Sequence, residues 1–339
     1  MVNRLDFEPR WFVVIMFFVA GIFAGALGLF IWFFDSNYLV NVQKIHTPLN
    51  SKYKYINPLL AIEVAVNKKF LENLTLGNKI DNIINTAKQN KKIKEGAFYN
   101  QDMEHGFWTG VNEDQKFSTG KFLRMPIMMA YFQLAQSDPK ILSNKLVYRQ
   151  QDFIQNPQAT EFLVDGQSYT VEELIRSMLI DDNEAASEIL FDNVDNAGLN
   201  EIYSDLGIGF KEDKVNKDYI SVKQFALLLR VLYNATYLNR EFSEKALALL
   251  AESNPTNGVG LGLQNNLKIA HRYRIRSFTE NGNDLLESHA CGIIYYPQHP
   301  YLVCLMSIAK NKSDIDNLFR EINTAVYNYI EQTYGLQNY

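Results

Sequence analysis

The chain is poor in the residues most often used to hold metals, phosphates and nucleic acids. Only 5 histidines and 2 cysteines occur in 339 residues. His46, His105, His271, His289 and His299 show no metal-ligand spacing, and neither do Cys291 and Cys304, so no metal is expected. A Gly-rich phosphate loop and a nucleophile elbow are both absent, and no cofactor is expected. Basic residues are not in excess: 33 Lys and Arg stand against 38 Asp and Glu, for a net charge of −5. Without a basic stripe, nucleic-acid binding is not expected. Internal repeats and low-complexity tracts are missing. The two cysteines lie in apolar, strand-like runs. Buried free thiols are the simpler expectation, although a single hairpin could bring the two face to face.

What the chain does have is one long apolar run. Trp11 to Phe34 is 24 residues without a charge. At ~1.5 Å per residue that is about 36 Å of helix, enough to cross a ~30 Å hydrocarbon core with some tilt. Ala24-Gly25-Ala26 resembles a signal-peptide cleavage site, but the apolar run continues through Phe34, too far for a signal peptide. The expected layout is therefore a head over 1–10, a retained transmembrane helix over 11–34, a juxtamembrane linker over 35–56 and a domain over 57–339. Charges flanking the span do not decide its orientation. Gly21 and Gly25 form a GxxxG that could pair two such helices in lipid, giving a homo-oligomer.

Beyond the linker, Leu60, Val64, Phe70, Leu71, Leu74, Ile80 and Ile83 predict a helix over Leu59 to Lys88. Ile93 to Tyr99 and Gly106 to Val111 read as a two-strand meander. A helical block follows. Met125 to Leu134 carries an apolar cluster, and Thr170 to Glu173 and Ser221 to Gln224 are capping boxes opening two amphipathic helices. Ser243 to Leu250 is a further short helix. Lys268 to Arg276, His289 to Tyr296 and Tyr301 to Ala309 read as strands, and Ile315 to Ile330 as a terminal amphipathic helix. The order predicts one α/β domain: a five-stranded antiparallel sheet flanked by N- and C-terminal helices, with an inserted all-helical subdomain.

Two short stretches carry the chemistry. Phe117-Ser118-Thr119-Gly120-Lys121-Phe122-Leu123-Arg124-Met125-Pro126 and Asp181-Asp182-Asn183-Glu184-Ala185-Ala186, together with the element order, resemble the serine β-lactamase and penicillin-binding protein superfamily, closest to its class A-like members. Enzymes of that family carry S-x-x-K, S-D-N and K-T-G motifs whose side chains meet in one cleft. The resemblance covers roughly Asn57 to Tyr329. A literal S-x-x-K exists at Ser118 to Lys121. In the alternative register Lys121 takes the serine position and Arg124 the lysine position. That register keeps Pro126 near the first helical turn, whereas a helix starting at Ser118 would bury the proline deeper, at up to ~3 kcal/mol.

In the second register the motifs are degenerate. Lys121 has no hydroxyl to acylate, and the Arg124 guanidinium stays protonated and cannot act as a base. Asp181 takes the place of the second serine, while Asp182 and Asn183 match. His271 to Arg274 corresponds to K-T-G: Arg272 keeps the cation, and Tyr273 and Arg274 would fill the approach that glycine leaves open. The cations Lys121, Arg124 and Arg272 and the anions Asp181 and Asp182 suggest a cleft plugged by ion pairs, with Asp181 expected to pair with Arg124 or Lys121. No confident catalytic residue remains. The resemblance implies a membrane-anchored, non-catalytic domain at the bacterial cell envelope that binds cell-wall peptide or an envelope protein. It also implies that the head over 1–10 is cytoplasmic and the domain over 57–339 extracytoplasmic. The alternatives are a serine hydrolase using Ser118 and Lys121, and a structural subunit of an envelope complex.

Overall fold

The computed structural model describes residues 53–57, 73–118, 124–153, 163–207, 219–254, 256–264 and 267–335. The expected transmembrane helix, Gly21, Gly25 and Lys121 lie outside the described residues. Among those described, no helix is long and apolar enough to cross a membrane.

The sheet has five strands: β1 (Glu95–Asp102), β2 (Trp108–Val111), β7 (Ile269–Glu280), β8 (Asn283–Ile294) and β9 (Tyr301–Ala309). They run in the order β2-β1-β9-β8-β7, every neighbour antiparallel. This is the sheet the sequence predicts. β9 falls on its expected bounds. β7 and β8 are longer than expected because they continue to a tight turn at Asn281-Gly282, where both residues take positive φ (50° and 77°), the conformation a two-residue hairpin requires.

The period of two along each strand divides the core. Phe98, Val303 and Leu305 face one side, where they meet α1 (Leu74–Gln89) and α8 (Lys312–Tyr334). Helix α1 buries Leu76, Ile80 and Ile84, one stripe at four-residue steps, and Asn73 caps its start by accepting from the Leu76 N–H at 3.1 Å. Of the helix expected over Leu59 to Lys88, the part before Asn73 lies outside the described residues.

Ala97, Tyr99, Cys291, Ile293, Leu302, Cys304 and Met306 face the other side, toward the helical subdomain. There α2 (Arg124–Ser137) is buried on all sides from Arg124 to Phe132, as expected of a central helix. Around it lie α3 (Val171–Ile180), α4 (Glu184–Asn193), α5 (Asn196–Asp205), α6 (Val222–Tyr233) and α7 (Arg240–Ala251). Both expected capping boxes form, Thr170 with Glu173 and Ser221 with Gln224. Two-stranded ribbons pair β3 (Phe117–Ser118) with β6 (Tyr219–Ile220), and β4 (Lys145–Val147) with β5 (Ser168–Thr170).

The expectation of free thiols is corrected. The β8–β9 register sets Cys291 directly opposite Cys304 with both side chains on the helical side, and the two form a disulfide. The end of the expected linker also docks on the domain. The backbone N–H groups of Lys54, Tyr55 and Ile56 all donate to the Glu244 carboxylate, the latter two at 2.8 and 3.0 Å. Tyr295 Oη donates to the Tyr55 carbonyl at 2.9 Å.

Candidate functional site

Three elements converge on the motif residues: the start of α2, the α3–α4 junction and the middle of β7. Arg124 sits in the first turn of α2 and is 2 % exposed. Pro126 lies two residues further on, where its missing N–H and fixed φ are tolerated. Arg272 comes from β7 and is 6 % exposed.

Each guanidinium satisfies one N–H on a carbonyl at the end of α3. Arg124 donates to Met178 O at 3.0 Å and Arg272 to Leu179 O at 2.7 Å. Both then close on the same atom, Oδ1 of Asp182. Cations at a helix C-terminus also meet the negative end of its dipole.

The expected pairing of Asp181 is therefore corrected for Arg124: the carboxylate that engages it belongs to Asp182. The reason is in the backbone. Asp181 is still helical as the C-cap of α3, with its N–H on Ser177 O, and it is exposed. Asp182 has a φ of 56°. That left-handed residue turns the chain from α3 into α4 and swings its side chain across to the two arginines. Aspartate enters this region more readily than most residues. Asn183 then caps α4, accepting from the Ala186 N–H at 3.1 Å, while its buried Nδ2 has no hydrogen-bond partner among the described residues.

Burial pulls Arg124 down to about 10, with Asp182 opposing it and Arg272 and Arg274 reinforcing it. At neutral pH it remains a cation. Burial likewise lowers Arg272, against the pull of Asp182. One carboxylate is thus shared between two buried guanidiniums.

The third motif strand departs from expectation. Tyr273 does not fill the cleft: alternation along β7 puts it on the face packed by α8, beside Ile275. Arg274 and Arg276 stay on the Arg272 side. Opposite them on β8 stand His289 and Glu287, so that face carries the facing pairs Arg272–Cys291, Arg274–His289 and Arg276–Glu287.

Glu287 is the residue that sequence reasoning missed. It is 2 % exposed, ion-paired to Arg276, 3.3 Å from His289 Nε2, and accepts the Ser118 N–H at 2.9 Å. Burial pushes its carboxyl up, but the contacts with His289 and Arg276 outweigh burial and hold it below the usual glutamate value. The alternation Arg272-x-Arg274-x-Arg276 facing Glu287-x-His289 was the available signal.

Ser118 itself lies on β3, half-buried and paired opposite Tyr219, six positions before Arg124 opens the described part of α2. The structure thus brings Arg124, Asp182, Asn183 and Arg272 together. Asp181 faces outward, and Ser118 is held by its backbone to the Glu287 cluster.

The same architecture occurs in solved structures. TLA-3 extended-spectrum β-lactamase is similar with a TM-score of 0.65 and 20% identity, over 75% of this chain and 99% of that one. PBP-A is similar at 0.63 and 16%, over 78% and 98%. A class A β-lactamase representative from Bacteroides cellulosilyticus DSM 14838 is similar at 0.65 and 13%, over 76% and 99%. At these identities the likeness is one of fold. Among curated proteins none matches this chain. A family model described as "Beta-lactamase enzyme family" matches residues 75–330, which takes in the whole sheet, the helical subdomain and both motif stretches. By that match and by its architecture, the chain belongs to the β-lactamase enzyme family.

Proposed function

We propose that this chain is a non-acylating member of its family, tethered to the bacterial cell membrane by Trp11–Phe34, with residues 57–339 acting outside the membrane as a binding or scaffolding domain. The observation that carries this reading is the Arg124–Asp182–Arg272 ion triad. It fills the junction of the three motif elements with two guanidiniums, which neither attack a carbonyl nor accept a proton at neutral pH, and ties up Asp182 between them. In the same register Lys121 stands at the nucleophile position and has no hydroxyl.

The Cys291–Cys304 disulfide supports an extracytoplasmic placement, since such bonds persist in oxidising compartments. Two arginines on one carboxylate favour an anionic ligand, such as the carboxylates of cell-wall peptide or an acidic surface of an envelope protein. Pairing of two chains through Gly21 and Gly25 belongs to the same proposal.

The test is intact-mass analysis of the full-length chain after prolonged exposure to penicillin G and, separately, a fluorophosphonate. An unchanged mass is expected. A covalent adduct mapped to Ser118 would overturn the proposal in favour of a serine hydrolase.

A further inference from the structure

We propose that Glu104, His105 and His299 form a binding site for a divalent transition metal ion, zinc in the first instance. One ligand atom from each of the three lies within 4.8 Å of the other two. The three residues come from two turns at one end of the sheet. Glu104 and His105 lie in the β1–β2 turn and His299 in the β8–β9 turn.

Those turns are built and mutually fixed. Asp102 Oδ1 accepts the N–H groups of both Glu104 and His105 at 2.8 Å, and Gly106 closes the turn with a φ of 79°. Met103 N–H donates to Pro300 O at 3.0 Å, and His299 N–H to Tyr296 O at 3.0 Å.

The ligand spacing suits zinc. Bonds of about 2.1 Å in a tetrahedron separate neighbouring ligand atoms by about 3.4 Å. Glu104 Oε2 is 2.7 Å from His299 Nδ1 and 3.9 Å from His105 Nδ1, values on either side of that figure, and all three ligand atoms lie within 4.8 Å of one another, so small side-chain rotations would bring them to a common centre.

A second observation points the same way. His299 is 4 % exposed, and its Nδ1 lies 2.7 Å from Glu104 Oε2, so a buried ring nitrogen and a carboxylate oxygen converge on one point.

Asp102 Oδ2 lies 3.2 Å from His105 Nδ1 and also accepts from Tyr334 Oη, a contact to the imidazole that a metal ion bound at Nδ1 would replace. Tyr334 stacks on His299 with centroids 4.1 Å apart and planes within 10°. The carboxylates of Asp102 and Glu104 beside the two imidazoles supply negative charge for a dication to meet. Imidazole ligands favour zinc, nickel or copper over magnesium and calcium. The expectation that no metal binds came from spacing along the chain, where His105 and His299 are far apart. Bound metal would staple the β1–β2 turn to the β8–β9 turn, with the end of α8 clasped against them through Tyr334.

The experiment uses the full-length chain in detergent, stripped with chelator under non-reducing conditions. Zinc is titrated against a chromogenic competitor, and cobalt by its visible absorption. One ion per chain at micromolar affinity is expected, with a rise in melting temperature. Glu104→Gln and His299→Gln should each weaken binding about tenfold or more, and His271→Gln, remote from the cluster, should leave it unchanged. X-ray absorption of the wild-type zinc complex gives a readout that does not depend on variants folding, and two imidazoles with oxygen are expected. No saturable uptake at micromolar metal, or a zinc shell without imidazole, would overturn the proposal.

Discussion

Arg124 and Arg272, one from the start of α2 and one from the middle of β7, hold the same oxygen of Asp182. Two guanidiniums that are almost completely buried thus depend on one carboxylate, itself 54% exposed at its side chain. Removing that carboxylate leaves like charges facing each other in a low-dielectric setting, and the cost of an unpaired buried cation decides the outcome.

Asp182→Asn therefore destabilises the domain by about 2–3 kcal/mol, less than the ~3–5 kcal/mol of a fully buried pair because solvent screens half of the side chain. Asparagine tolerates the positive φ, so backbone strain does not confuse the result. Asp181→Asn, one residue away but exposed, changes stability by no more than ~0.5 kcal/mol. Urea denaturation of the two variants measures the contrast; equal effects would contradict the geometry.

Acid should loosen the fold before its carboxylates titrate. Burial, reinforced by the neighbouring Arg272 and opposed by hydrogen bonding to the Ser253 backbone, pushes His271 down from 6.5 to about 4. His289 is lowered by burial in the same direction, with Glu287 opposing and Arg276 and Arg274 adding to it. Between pH 6.5 and 4 the unfolded chain therefore binds protons that the folded chain refuses. Stability is full above 6.5 and falls toward 4, by about 3 kcal/mol for His271 alone. His271→Gln should flatten a melting-temperature profile across this window, leaving the slope due to His289.

Glu287→Gln removes the anion shared by Arg276, His289 and the Ser118 N–H. Loss of about 2–4 kcal/mol is expected from leaving Arg276 unpaired against a buried position. Amide exchange at Ser118 should accelerate beyond the change in global stability, which hydrogen-exchange mass spectrometry resolves.

Glu244→Ala releases three consecutive backbone N–H groups, those of Lys54, Tyr55 and Ile56. The segment entering the domain should then be cut faster by limited proteolysis near residues 53–57, while the core melts within a few degrees of wild type. Unaltered cleavage would show that Tyr295 and the Tyr233 carbonyl hold it without the carboxylate.

Local chemistry made much of this fold legible. The capping boxes at Thr170 and Ser221 mark helix starts by hydrogen bonds between near neighbours, and β9 is bounded by Pro300 and by the end of its apolar run. Features set by a single backbone torsion were not legible in the same way. Nothing in a period of 3.6 or 2 tells which of Asp181 and Asp182 turns inward; the left-handed φ at Asp182 does. Helix α4 was hidden because it is buried along much of its length, and α5 because only Leu199, Ile202 and Tyr203 are buried, too few to stand out as a periodic stripe. Pairing across strands was harder still. Cys291 with Cys304, and Glu287 with Arg276, depend on register, which for β7 and β8 is fixed at the Asn281-Gly282 turn.

The sulfur bridge between β8 and β9 has a practical corollary. Cys291 and Cys304 are both fully enclosed, at 0% exposure, so a small thiol reductant cannot touch them while the sheet and the helical subdomain stay closed over each other. Cleavage of the bond in the native chain should then keep time with opening of the whole domain, making thiol release under mild reductant a clock for how often this molecule comes apart.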